Sequence, residues 1–439
     1  MKKLILIIST LLLTLTTYGQ DITGQWNGVL KVQGIQLRVV FNINSIDNNF
    51  VSTMDSPDQN AKGIPVTTTS FESPALKLTI SNLGVEYKGV LGDNNIIVGT
   101  FKQAGQSFPM DLSKEKNKKK ELIRPQEPKK PYPYYTEEVS FTNSIDSITL
   151  SGTLTLPSAT GKFPVVVMIS GSGPQNRDEE LLGHKPFLVV ADHLTKKGIG
   201  VLRFDDRGTA KSTGDFKSAT STDFANDVLS AVTYLKTRND IDYKNIGLVG
   251  HSEGGLIAPM VASESKDIDF IVLLAGPGIS GYDILLLQNE LISKANGTDE
   301  SKLQTELALL KGGLDIIIKG DDLDEIKSVL RDYFQKELNK NAELLPEGIK
   351  KNQFIEGTVD QLATSWFQFF LKYDPASSLV KVKCPVLAIN GEKDLQVPSK
   401  VNLDAIEKYL KEGENNNFVV KELPHLNHLF QECSTGSPN

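Results

Sequence analysis

The spacing of apolar and polar positions divides the chain in two. From about Gln20 to Leu112 short segments alternate or are β-branched, as in "IQLRVVFNI", "IPVTTTSF" and "NIIVGTF", with turns such as Gly92-Asp93-Asn94-Asn95 between them. A period of two belongs to strands with one buried face. It predicts a small all-β domain, a sandwich or barrel, over 20–112. Beyond Glu137 the apolar residues gather instead into continuous runs, at Phe163–Ile169, Gly198–Phe204, Ile246–Val249, Phe270–Leu274 and Val386–Ile389. Helical patterns lie between several of them. Phe224, Val228, Ala231, Val232 and Leu235 mark one helix face. Unbroken apolar strands alternating with helices imply an α/β domain over 137–439, a mostly parallel sheet covered on both faces.

Three segments depart from these patterns. Residues 113–136, "SKEKNKKKELIRPQEPKKPYPYYT", are too rich in lysine and proline to bury a core and read as an exposed linker. Residues 281–374 are helical and charged, too long for a loop and without strand patterns, so they read as a helical insertion. The cluster Trp366–Phe370 within it suits packing on the core, or a substrate-facing wall. Residues 1–19 carry two lysines, an apolar run from Leu4 to about Leu15 and a small, polar end at Thr17-Tyr18-Gly19. That is a secretory signal peptide, shorter than the roughly 20 apolar residues a membrane anchor needs. The expected protein is exported, periplasmic or extracellular, with no stable membrane anchor.

Composition narrows the chemistry. The formal charge is −7, without a basic block of the kind that binds nucleic acid. Cys384 and Cys433 are the only cysteines, and five histidines are scattered along the chain, so no metal site is expected and no cofactor is implied. The sequence leaves the oligomeric state open.

The chemistry concentrates in "IGLVGHSEGGLIAP". Gly-x-Ser-x-Gly alone is weak, but here an apolar strand precedes it and a helix pattern follows. A sharp strand-to-helix turn would force Ser252 into strained dihedrals, and the flanking glycines remove side chains that would clash. Ser252 is the candidate nucleophile. Its hydroxyl needs a base, and the base an orienting acid. On this scaffold they follow in the order serine, acid, histidine. After "PVLAIN" comes "GEKDLQVP", which offers Asp394, with Glu392 the alternative. "FVVKELPHLNHLFQ" then offers His428, with His425 the alternative; His184, His193 and His251 precede the acid. His251 reads as a residue that packs or positions the turn.

An oxyanion hole needs two backbone donors. The Glu253 amide is one, and the loop "ISGSGPQNRDEE" supplies the other, assigned to Ser172. That loop lacks the Gly-Lys-Ser/Thr ending of a phosphate cradle. In "RFDDRGTAKSTGDF", Asp205, Asp206 and Arg207 read as a charged group shaping the loop beneath the site.

Together "SGSGPQNRDE", "RFDDRGTAKSTG", "GHSEGG", "GEKDLQVP" and "LNHLFQ" resemble the secreted bacterial α/β-hydrolases of the EstD esterase type, related to the serine aminopeptidase-like group. The N-terminal "TMDSPDQNAKGIPV" resembles a segment that recurs before this catalytic domain. The resemblance implies an α/β-hydrolase fold, a doubly wound, mostly parallel sheet with a helical cap. It also implies hydrolysis of small-molecule carboxylic esters, mostly of short acyl chains, through an acyl-enzyme, with Ser252, Asp394 and His428 as nucleophile, acid and base. Family members usually continue past the histidine loop into a final helix; here Asn439 lies eleven residues past His428. The expectation is a less stable protein with loose catalytic geometry.

Two other readings compete. A serine aminopeptidase-like enzyme would need acidic groups near the site to hold a substrate amine, and Asp321, Asp322, Asp324 and Glu325 of the insertion are candidates. A binding protein would use the β domain for a glycan or peptide, with the hydrolase region as scaffold. The serine argues against the aspartate-nucleophile dehalogenases and epoxide hydrolases, and against cysteine-based lactone hydrolases.

Overall fold

A computed structural model describes residues 21–32, 35–47, 49–59, 61–103, 106–115, 124–181, 183–345 and 350–437. The predicted signal peptide and the lysine-rich centre of the linker lie outside the described residues. The chain divides between residues 121 and 122 into two compact units, each with its own core.

In the first unit, among the described residues, ten strands form one antiparallel sheet: β1 (Gly24–Val32), β2 (Ile35–Ile46), β3 (Asn49–Ser56), β4 (Ala61–Pro65), β5 (Thr68–Glu72), β6 (Ala75–Ile80), β7 (Val85–Leu91), β8 (Ile96–Gln103), β9 (Gln106–Pro109) and β10 (Leu112–Ser113). The order is β4-β3-β2-β1-β10-β8-β7-β6-β5, with β9 on β8. The sheet curls until its edges approach: Thr69 Oγ1 donates to Ser52 Oγ at 2.9 Å, and the Val66 and Thr67 amides bond to β3 and β6. The barrel alternative is therefore nearer than a two-sheet sandwich. Alternation places Trp26, Phe41, Leu78 and Tyr87 inside. The run "IPVTTTSF" is not one strand but the end of β4 and most of β5, broken at Val66-Thr67.

The second unit is built on a mixed sheet ordered β11-β12-β14-β13-β15-β16-β17-β18. Its strands are β11 (Tyr135–Asn143), β12 (Ile148–Leu156), β13 (Phe163–Ile169), β14 (Gly200–Phe204), β15 (Ile241–His251), β16 (Phe270–Leu274), β17 (Val386–Gly391) and β18 (Phe418–Leu423). The apolar runs read from the sequence are β13 to β17. They pair in parallel, as does β18, while β11 and β12 add an antiparallel hairpin at the start. That hairpin went unread because its first residues fall in the presumed linker and its alternation differs from the continuous runs beyond it.

Alternate residues of β13 face different clusters. Val165, Val167 and Ile169 pack with α2 (Ser221–Lys236), α3 (Glu253–Glu264) and α10 (Ser399–Glu412). Val166 and Met168 pack with Phe187 and Ala191 of α1 (Pro186–Lys196). The predicted face of α2 is buried through Val228, Ala231, Val232 and Leu235, and Thr220 with Asp223 closes a capping box at its start. On β17 and β18, Leu387 and Val419 are 37% and 58% exposed.

Between β16 and β17 runs the helical insertion: α4 (Gly281–Ala295), α5 (Glu300–Lys319), α6 (Leu323–Lys340), α7 (Lys351–Leu362) and α8 (Ser365–Lys372), followed by the short α9 (Ala376–Leu379). It has its own core around Leu314, Leu330, Phe334 and Val359. The exposed linker needs correction at its end. Arg124, Glu127 and Pro128 are partly buried in the second unit, and Arg124 Nη1 donates to the Gly183 carbonyl.

Candidate active site

Ser252 stands between β15 and α3 with φ 51° and ψ −117°, a strained conformation for a side chain-bearing residue. The surrounding glycines explain how the turn closes. A Cβ on Gly250 would lie 2.0 Å from the Gly254 carbonyl oxygen, and one on Gly254 would lie 2.1 Å from the oxygen of Ile169. The chain thus passes from strand to helix with backbone packed on backbone.

His428 Nδ1 lies 2.7 Å from Asp394 Oδ2, and both residues are buried. Asp394 Oδ1 accepts the amides of Gln396 and Val397 at 2.8 and 2.9 Å, so donors complement the whole carboxylate. With Nδ1 engaged, Nε2 is the ring nitrogen left for proton transfer. Glu392 and His425, the alternatives, sit together outside: the Glu392 carboxylate accepts the His425 amide, and the two side chains are 3.9 Å apart.

The histidine loop is closed by its own hydrogen bonds. Asn427 Oδ1 accepts the amides of Leu429 and Gln431, and Lys393 and Cys433 bond across to the carbonyls of Leu426 and His425.

The loop after β13 reaches the nucleophile closely, since a Cβ on Gly171 would be 3.2 Å from that of Ser252. Carboxylates fix this loop. Asp206 Oδ1 accepts from Ser170 Oγ at 2.7 Å and Oδ2 from the Gln175 amide at 2.8 Å. Glu179 Oε1 accepts the Gly171 amide at 2.7 Å. The Gly171 N–H is thereby consumed, and among the described contacts the Ser172 and Glu253 amides have no protein acceptor. Burial pushes Asp206 up to about 8 against those bonds, with Glu253 and Glu179 adding repulsion.

Asp205, Asp206 and Arg207 do not form one charged group. Asp205 pairs with Arg177 and accepts its amide, so it grips the loop after β13 as Asp206 does, while Arg207 turns away to Asp227 and Asp146. The Glu253 side chain, raised above the ordinary carboxyl range by burial, accepts from Ser221 Oγ at 2.6 Å and Trp366 Nε1 at 2.7 Å. Trp366 therefore ties the insertion to the residue after the nucleophile. Asp321, Asp322, Asp324 and Glu325 are exposed at the start of α6, where Asp322 caps the helix.

Ser252, His251 and His428 line one cavity of about 440 Å³ with Gly171, Ser172, Glu179, Leu181, Val189, Val190, Gln396 and Phe430. Gln126 and Glu127 contribute to its wall, which the linker reading did not anticipate.

Mostly parallel mixed sheet, strained serine, buried acid–histidine pair and shared cavity together define an α/β-hydrolase. The chain belongs to the X-Pro dipeptidyl-peptidase (S15) family, whose sequence profile matches residues 146–427. It is similar to Esterase EstD of Thermotoga maritima, 28% identical over 300 residues, 68% of this chain and 62% of that relative's length. Among solved structures it is similar to the alpha/beta hydrolase GrgF from Penicillium sp. sh18, at 17% identity and a TM-score of 0.44, over 67% of this chain and 91% of that one. It is likewise similar to the Pyrococcus furiosus esterase Pf2001, at 20% identity and a TM-score of 0.43, over 66% and 84%.

Proposed function

We propose that the protein is an exported serine esterase that cleaves small carboxylic esters, with short acyl chains, on a doubly wound α/β-hydrolase scaffold. The reading rests on one observation: His428, held 2.7 Å from Asp394, lines the same cavity as a serine held at positive φ. His428 takes the Ser252 proton as Oγ adds to the ester carbonyl carbon. The carbonyl oxygen becomes an oxyanion and accepts from the Ser172 and Glu253 amides. As the C–O bond breaks, His428 returns the proton to the departing alcohol and the acyl group stays on Ser252. Water then attacks with His428 as base, releasing the carboxylic acid and the free serine, while Asp394 stabilises the imidazolium throughout.

The test is a p-nitrophenyl ester panel on the wild type beside Ser252→Ala. Loss of turnover by at least about a thousandfold is expected; comparable turnover in the two proteins sinks the reading. Export rests on the N-terminal pattern. Its check is the mass of the mature protein, expected to begin near Gln20.

The family's description as dipeptidyl-peptidases favours a second reading, a peptidase on the same triad. Faster release from an amino-acid anilide than from the ester would put it first.

A further inference from the structure

His251, beside the nucleophile, is held at both ring nitrogens. Nδ1 lies 2.9 Å from Glu179 Oε1, and Nε2 lies 3.1 Å from the backbone carbonyl oxygen of His428. A carbonyl can only accept, so Nε2 must carry a hydrogen. Glu179 Oε1 already accepts the Gly171 amide, and Oε2 is buried with no protein partner. Glu179 Oε1 is placed to accept a hydrogen on Nδ1 as well, a bond that is charge-assisted when the ring is an imidazolium. With a hydrogen on each nitrogen the ring is an imidazolium, and Glu179–His251 is a buried ion pair.

We propose that Glu179 and His251 act as positioning residues: their ion pair clamps the Gly171 end of the oxyanion loop to the backbone of His428, so that donor and base keep one spacing about Ser252. This role rests on the esterase reading above. From the sequence His251 reads only as packing or positioning the turn; its partner Glu179 lies 72 residues away and meets it only in the fold.

The charged groups around His251 support the assignment. Burial alone would lower its affinity for a proton, but the Glu179 carboxylate, the His428 carbonyl and the Asp394 charge outweigh burial and hold it above the ordinary histidine range. The His428 ring is the other titratable neighbour, with centroids 5.0 Å apart.

The test uses the full chain labelled with ¹⁵N-histidine, the His251 signals being assigned by their loss in His251→Gln. At pH 8 both ring nitrogens of His251 are expected to be protonated in the wild type, and the ring to be neutral in Glu179→Gln. That variant keeps acceptors for Gly171 and Nδ1 but removes the charge. Its kcat on a short-chain ester should fall roughly tenfold with KM changed less than about twofold. A neutral His251 at pH 8 in the wild type overturns the proposal, as does a Glu179→Gln enzyme with wild-type kcat. Should Glu179→Gln not fold, the wild-type spectrum still decides. Turnover surviving in Ser252→Ala would sink the esterase reading alone, since the spectrum reports the ion pair without substrate.

Discussion

The loops beyond β17 and β18 hold their groups with bonds formed close along the chain, whereas the loop after β13 is held by carboxylates tied to distant parts of the chain, Asp206 beyond β14 and Glu179 through His251. Asp394 is fixed by amides two and three residues ahead, and the His428 loop is pinned by Asn427 within it. By contrast, Ser170 and Gln175 depend on Asp206, beyond β14, and Gly171 depends on Glu179 with its distant partner His251. The acid–base side is thus preorganised by local turns. The oxyanion side is preorganised by buried carboxyl groups whose protonation must be right. The first should respond to mutation through chemistry and the second through pH.

The largest break in this comparison comes from Asp394→Asn. The amide can still accept from Gln396 and Val397, so the turn survives. It no longer fixes the histidine tautomer or stabilises the imidazolium. In the archetypal serine-protease triad the same exchange costs about 10⁴ in kcat, and a loss of 10³ to 10⁴ is expected here. Ester kinetics with unchanged melting temperature are the measurement. A loss below tenfold would mean that the proton leaves Ser252 by another route.

A smaller effect separates the two sides by pH. Asp206 titrates near 8, above its unfolded range, so the folded state holds a proton that the unfolded chain has released. Stability from this group is fully present below the ordinary carboxyl range and is lost as pH rises through about 8. Asp206→Asn keeps an acceptor for Gln175 and presents an amide to Ser170, yet cannot ionise. The variant's advantage in melting temperature over the wild type should grow by about 3 °C between pH 5 and pH 8.5. Parallel melting curves across that range would remove Asp206 as the source of the pH dependence.

The same contrast explains what the sequence allowed to be read. Ser252, Asp394 and His428 follow recognisable strands, because a parallel sheet delivers its loops to one edge and the chain order names them. The continuous runs β13 to β17 were legible for the same reason, most of their apolar residues being buried or half-buried, with Leu387 of β17 an exception. What stayed hidden depends on contacts distant in sequence. Arg207 reaches Asp227 and Asp146 rather than the aspartates beside it, because its neighbours point into different surroundings. Trp366 reaches Glu253 across 113 residues, which no local pattern encodes. The β11–β12 hairpin was missed because its alternation begins inside a proline-rich stretch.

The smallest expected effect tests whether the burial of one acid–histidine pair, rather than its mere presence, selects the working pair. His425 and Glu392 repeat the residue types of His428 and Asp394 three and two positions away, but the His425 side chain is 77% exposed. Water screens that pair and competes for its bonds, so it holds no fixed proton geometry. His425 also has φ 63°, a conformation that asparagine tolerates well. His425→Asn keeps the backbone amide that donates to Glu392 and removes only the imidazole. Its kcat/KM on the ester panel should stay within about twofold of wild type, since an exposed substitution away from the cavity leaves the buried pair intact. A hundredfold loss would move the base to position 425 and undo the distinction between the buried pair and the exposed one.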